Sequence, residues 1–271
     1  MSGTVMKSIP ARQDNAIDQI VFSLVFDKPF DSQIIEQLIL LKNDGIDGLP
    51  ESEITKSLTI SSGPTQPPIA RNEINGVRFY KPPSDQTKSE IGENRNEWDL
   101  LAQEKSVQLI CTLYSSWTDV WSTAQDILGK LNNCVSDDYG VNEFIVQVDD
   151  KFTCDKDINY SIDDIFDRTS RYFSLNVLEA GEAWHIYQGW FENVDDMRVL
   201  HNLNISTRRD DEMNYISSIV HVMRTTFVSE EAILHEDSIN HAAQNAHQKS
   251  KQAMCSILNQ DALDRIGLTD D

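Results

Sequence analysis

Apolar and polar positions along this chain change rhythm several times, and each rhythm specifies an element. Val107, Leu109, Cys111 and Leu113 alternate with Gln108, Ile110, Thr112 and Tyr114, the period of two expected of a strand with one dry and one wetter face. Trp98–Gln103 precedes it across the polar corner Glu104-Lys105-Ser106, which predicts a strand pair. From Trp117 the spacing becomes three and four: Trp117, Val120, Trp121, Ala124, Ile127, Leu128 and Leu131 mark one helical face. Ser116 or Thr118 can cap that helix, and Asp119 falls in its first turn, where a negative charge suits the dipole. Residues 98–131 are thus two strands feeding an amphipathic helix, and the rest can be arranged around them.

Upstream, Ile17–Phe26 is apolar and rich in β-branched and aromatic residues, a strand buried on at least one face. Asp27-Lys28-Pro29 ends it. Asp31 or Ser32 then caps a helix with a stripe of Ile34, Ile35, Leu38, Ile39 and Leu41. Residues 54–60 form a weaker strand. Residues 61–96 carry Pro67-Pro68 and Pro82-Pro83 and are predicted to be mobile loops around one short strand at Gly76-Val77-Arg78-Phe79-Tyr80.

Downstream, residues 144–148 are a strand leading into an acidic stretch, with a short helix around Ile162, Ile165 and Phe166. Residues 184–191, 199–207 and 215–227 are strands, the last two joined by a hairpin at Arg209-Asp210-Asp211. A helix opening at Ser229-Glu230-Glu231 and reaching about Asn259 would be roughly 45 Å long. The predicted fold is α+β: two pseudo-repeated units of mostly antiparallel sheet backed by helices, with a long C-terminal helix. The first unit spans 1–135 with its Pro-rich loop region 61–96, and the second, more acidic one spans 136–271, together one body.

Charge narrows the partners. The formal net charge is −21 over 271 residues. Residues 1–135 hold 12 Lys/Arg and 18 Asp/Glu, whereas residues 136–271 hold 11 and 26, so the second half is the acidic one. Such a chain argues against nucleic acid, which asks for a basic stripe, and against anionic membrane surfaces. Four scattered cysteines (Cys111, Cys134, Cys154, Cys255) imply a reducing setting. No apolar run approaches the roughly 18 residues of a membrane span, and no basic-then-apolar leader opens the chain. A cytoplasmic location is expected.

Candidate chemistry is sparse, and no cofactor is implied. Asp155, Asp157, Asn159, Ser161 and Asp163 stand at calcium-loop spacing, but Tyr160 occupies the place of the turn glycine and Phe166 that of the bidentate glutamate. A solvated acidic loop is the default, and no metal is expected. His235, His241 and His247 lie about 240° apart on the last helix and cannot converge. His185, His201 and His221 fall in strands and can approach across a sheet, with singly satisfied histidines the plainer expectation. No phosphate loop or nucleophile elbow is present.

Residues 184–191 have bulky residues on both faces. Trp184, Ile186 and Trp190 are assigned to the core, and His185 and Tyr187 to a partner-binding surface. Aromatics in an acidic surround suit a protein or peptide with basic and apolar character.

The chain resembles a sporadically distributed, uncharacterised family of bacterial and archaeal proteins of about 250–270 residues, a length that fits one large domain or two small ones. The resemblance runs through Asn15-Ala16-Ile17, Gly76-Val77-Arg78-Phe79, Trp98 through Leu113 with Tyr114-x-x-Trp117, Leu203-Asn204-Ile205, Leu234-His235 and Arg265-Ile266-Gly267-Leu268. Where that family tends to a Leu-Arg-Tyr-Ile-Asn-like strand, this chain has Phe144-Ile145-Val146-Gln147-Val148-Asp149, so a role for the basic residue and the asparagine does not carry over. The family has no established activity to transfer. Its patchy distribution implies mobile accessory or phage-defence genes. The expected function is a non-enzymatic protein-binding or regulatory component. The alternatives are an enzyme whose site is assembled from distant residues and an acidic decoy that mimics nucleic acid.

Overall fold

Runs rich in β-branched and aromatic residues form the strands of this protein, and the three-and-four spacings form its helices. The computed structural model describes residues 8–12, 15–63, 66–132, 134–135, 139–156, 160–181, 183–227 and 236–268. In chain order they form β1 (Ile9–Pro10), β2 (Ile17–Phe26), α1 (Ser32–Asp44), β3 (Glu51–Gly63), β4 (Gln66–Lys81), α2 (Lys88–Ile91), β5 (Trp98–Gln103), β6 (Ser106–Cys111) and α3 (Trp117–Asn132). They continue with β7 (Val141–Cys154), a 3-10 turn (Ile162–Asp164), α4 (Leu175–Leu178), β8 (Trp184–Val194), β9 (Met197–Arg209), β10 (Tyr215–Phe227), α5 (Glu236–Ile257) and α6 (Gln260–Arg265). The described residues are α+β, with a large antiparallel sheet of ten strands and six helices.

The chain divides into two compact units, one of residues 21–144 with 229–234 and the other of residues 1–20, 145–228 and 235–271. In the first, the strands run in the order β3-β4-β5-β6-β2. Val107, Leu109 and Cys111 point into its core, as their alternation requires. Trp121 of α3 packs 5.2 Å from Phe22 and lies parallel to Trp117 at 5.9 Å, so this tryptophan pair anchors the helix. Asp31 caps α1, accepting from the Ile34 amide at 3.0 Å, and Gly45 ends that helix at a positive φ of 78°.

Within residues 61–96, the strand at residues 76–80 and the irregular stretch after Lys81 are as expected, but the described residues before Gly76 are not loop. Instead of loops around a short strand, β3 and β4 pair as a long hairpin that contains Pro67 and Pro68. Proline removes a ladder donor and is confined to edges and irregularities. β5 pairs only with residues 76–81 of β4, which leaves the distal half with one partner strand, and the register shifts between Ser61 and Gly63 beside the prolines.

In the second unit the order is β2-β7-β10-β9-β8, with β1 beside β7. β8 is therefore an edge strand. Ala253, Met254 and Ile257 at the end of α5 and Leu258 just past it share a buried cluster with Trp184 and Ile186 of β8, Leu203 and Ile205 of β9 and Ile219 of β10. The described part of α5 has 22 residues, about 33 Å. The residues where it was expected to open, 229–231, lie outside the described ones.

Candidate functional site on the two faces of β8, β9 and β10

Strand parity sorts the side chains of these three strands. β9 and β10 pair around the turn at residues 210–214, with Leu203 opposite His221 and His201 opposite Met223. His201 and His221 are therefore diagonal neighbours on one face. β8 pairs with β9 so that Trp190 stands opposite His201. All three point to the α5 side, where they line a cleft of about 620 Å³ together with Tyr172, Glu192 and Lys249. The Trp190 ring lies parallel to His201 at 4.8 Å.

His201 and His221 are 1% and 3% exposed, and the Nδ1 of His201 is 3.1 Å from the Nε2 of His221. Glu192 Oε2 lies 3.3 Å from His201 Nε2, near enough for a charge attraction although the two are not aligned as a hydrogen bond. Lys249 donates to Glu192 Oε1 at 2.5 Å. This lysine holds the Glu192 carboxyl below its ordinary range. Burial lowers His201, against the pull of Glu192, and burial with the neighbouring His201 pushes His221 down to about 3. At neutral pH both rings are uncharged. An ionised carboxylate beside Nε2 favours the proton on that nitrogen, which leaves His201 Nδ1 to accept from His221 Nε2–H and leaves the Nδ1 lone pair of His221 without a partner.

The opposite face is open. His185 is exposed and its Nε2 lies 2.8 Å from Asn204 Oδ1. Tyr187, 65% exposed, donates to Asn202 Oδ1 at 3.0 Å. Phe191 is 59% exposed, with the Arg198 guanidinium over its ring at 4.2 Å. Gly189 stands between the two aromatics, and a Cβ there would meet Asn202 Oδ1 at 3.2 Å. The exposed side chains of this face include Arg198, Arg208 and Arg224, and its outward positions on the three strands hold no carboxylate. The outward strand positions next to Tyr187 are thus neutral, with arginines farther along the face, rather than acidic as the chain's net charge suggests.

The two proposed partner residues share this face, while Trp184, at 8% exposure, is core as assigned. Trp190 is only half-buried and walls the cleft. Of the calcium-loop positions, Asp157 and Asn159 lie outside the described residues. Asp155 is exposed, and Asp163 pairs with Arg168 at 3.2 Å beside the Ser161-capped 3-10 turn. No cluster of three metal-ligating residues occurs among the described residues. His241 faces Asp195 at 3.6 Å, and His235 lies outside the described residues.

The sequence held a signal for the histidine pair that single-residue inspection passes over. His201 alternates in phase with Leu203, Ile205 and Thr207, and His221 with Ile219 and Met223, so both belong to the inward face of a hairpin whose turn is legible. Glu192 and Lys249 could not be found that way, because they reach the pair from β8 and α5. Comparison with family models, curated proteins and solved structures finds no match.

Proposed function

We propose that the protein is a non-enzymatic binding or regulatory component that engages a protein or peptide through the open face of β8, β9 and β10. The observation that carries this is a contradiction of chemistry: on a chain of net charge −21, one sheet face at an edge exposes Tyr187 and Phe191 among arginines and asparagines and presents no carboxylate. Exposed aromatics flanked by arginine are the side chains that most often anchor interfaces. The partner is acidic and carries apolar or aromatic groups, and the unpaired rim of β8 can add backbone hydrogen bonds to an extended segment. Its resemblance to a patchily distributed family extends the proposal to a role in a mobile accessory or defence system. The similar order of elements in the two units, strand, helix, strands, helix, supports treating them as a repeat.

Glu192, His201 and His221 stand in the order of a proton relay, which favours an enzyme as the alternative. A ring held down to about 3 accepts hydrogen bonds rather than protons at neutral pH, and for that reason binding is preferred to acid–base catalysis. The test is a titration of a dye-labelled peptide of alternating glutamate and tyrosine, followed by anisotropy. Wild type should bind, the Tyr187→Ala, Phe191→Ala double variant should lose at least about tenfold in affinity, equal to about 1.4 kcal/mol, and a lysine–tyrosine peptide should bind less well. Equal binding by the double variant would refute the surface.

A further inference from the structure

The cleft on the α5 side has a need that its own residues do not meet. His221 lines it, is 3% exposed, and keeps an Nδ1 with no hydrogen-bond partner. A buried polar atom left unpaired is unfavourable, and it is relieved by a donor from outside. Its proton state fixes which group that must be. With Glu192 beside His201 Nε2, the His201–His221 bond runs from His221 Nε2–H to His201 Nδ1, so His221 Nδ1 is an acceptor and the missing group is an N–H or O–H.

Shape and charge narrow the ligand further. The half-buried Trp190 ring, backed in parallel by the buried His201 at 4.8 Å, presents a flat wall, and Tyr172 packs at 5.9 Å from Trp190. A planar ring fits such a wall better than a branched aliphatic group. The cleft volume of about 620 Å³ lies within the range of about 300–1,000 Å³ typical of small-molecule sites. Its lining holds Arg171 and Lys249 against the single carboxylate of Glu192 and two neutral histidines. The cleft is thus locally positive on an acidic chain, and it accepts an anion.

We propose that this cleft binds a planar nitrogen heterocycle that bears an N–H donor and an anionic group, as a mononucleotide does. The ring edge donates to His221 Nδ1, the ring lies along Trp190, and the anionic group sits near Arg171 and Lys249. Phe191 borders both sites, but the other cleft residues on β8 and β9 take the opposite parity from the partner face, and the His221 and Lys249 variants leave that face intact, so either proposal can fail alone.

The test is isothermal titration calorimetry of the full chain with AMP, GMP, UMP and CMP, with inorganic phosphate and free adenine as controls. At least one mononucleotide should bind with a Kd below about 1 mM and more tightly than phosphate. His221→Phe keeps the ring and removes the acceptor, and should weaken that binding at least about tenfold. Lys249→Ala should weaken nucleotide binding and leave any adenine binding unchanged. Should His221→Phe fail to fold, His221→Gln, whose side-chain oxygen can accept, should retain more affinity than His221→Leu. No binding by any of the four nucleotides, affinity for phosphate equal to that for nucleotide, or full affinity in the folded His221→Phe variant would each overturn the assignment.

Discussion

Neighbouring positions along β8, β9 and β10 sit in different solvents. On the α5 side Leu203 and Ile205 have no exposure, His201 and His221 are buried with them, and the polar groups answer one another across a cleft. One residue along, Tyr187 and Phe191 stand in water beside Asn202, Asn204 and Arg198. The comparison teaches that a whole-chain charge of −21 says little about any one surface. Charges more than about 8 Å away are largely screened at physiological salt, so a partner meets the local pattern of arginine and aromatic side chains.

Truncation should separate the faces most sharply. Leu203→Ala, at a fully buried position, should lose about 2–5 kcal/mol of unfolding free energy in urea. Tyr187→Ala with His185→Ala, on the exposed face, should stay within about 0.5 kcal/mol of wild type. Equal losses would mean that both faces are core.

A smaller effect should follow from pH. The folded-state value of about 3 for His221, against an ordinary 6.5, means that the unfolded chain takes up the extra proton first. That contribution is complete above about pH 6.5 and is lost as pH falls toward 3. Asp150 has the opposite sign: burial and the neighbouring Asp149 raise it from 3.8 to about 7, so stability is lost as pH rises between those values. Urea titrations from about pH 4 to pH 7 should show His221→Phe less weakened by acid than wild type, and Asp150→Asn less weakened by rising pH. Three parallel profiles would contradict both assignments.

The smallest effect is expected at Arg198, whose guanidinium covers the exposed Phe191 ring at 4.2 Å. An exposed cation–π contact contributes about 0.5–1 kcal/mol, so Arg198→Ala should shift the urea midpoint only slightly while weakening the acidic peptide. A variant that loses stability but keeps the peptide would reverse the roles given to this residue.

Much of this was legible in the chain. Period-two alternation at Val107, Leu109 and Cys111 placed β6, and the spacing from Trp117 to Leu131 placed α3, because each has one dry face. The proline pair hid β4, since an edge with a register shift tolerates what a central strand does not. His185 and Tyr187 were separable from Trp184 by parity alone. What one sequence could not supply was the assembly of His201 and His221 with Glu192 and Lys249, which depends on strand register and on a helix crossing from far along the chain. The local charge of the open face was hidden for the same reason: Arg198 and Arg224 become diagonal neighbours only when β9 and β10 pair.

The central claim is that the open face is the working surface, and hydroxyl-radical footprinting read by mass spectrometry tests it most directly. In the free protein Tyr187 and Phe191 should be oxidised readily while Trp184 is protected. Adding the glutamate–tyrosine peptide should protect Tyr187 and Phe191 and leave the oxidation of Leu175, an exposed apolar residue of α4, unchanged. Protection of Tyr187 in the free protein, or peptide binding that leaves Tyr187 and Phe191 as reactive as before, would contradict it.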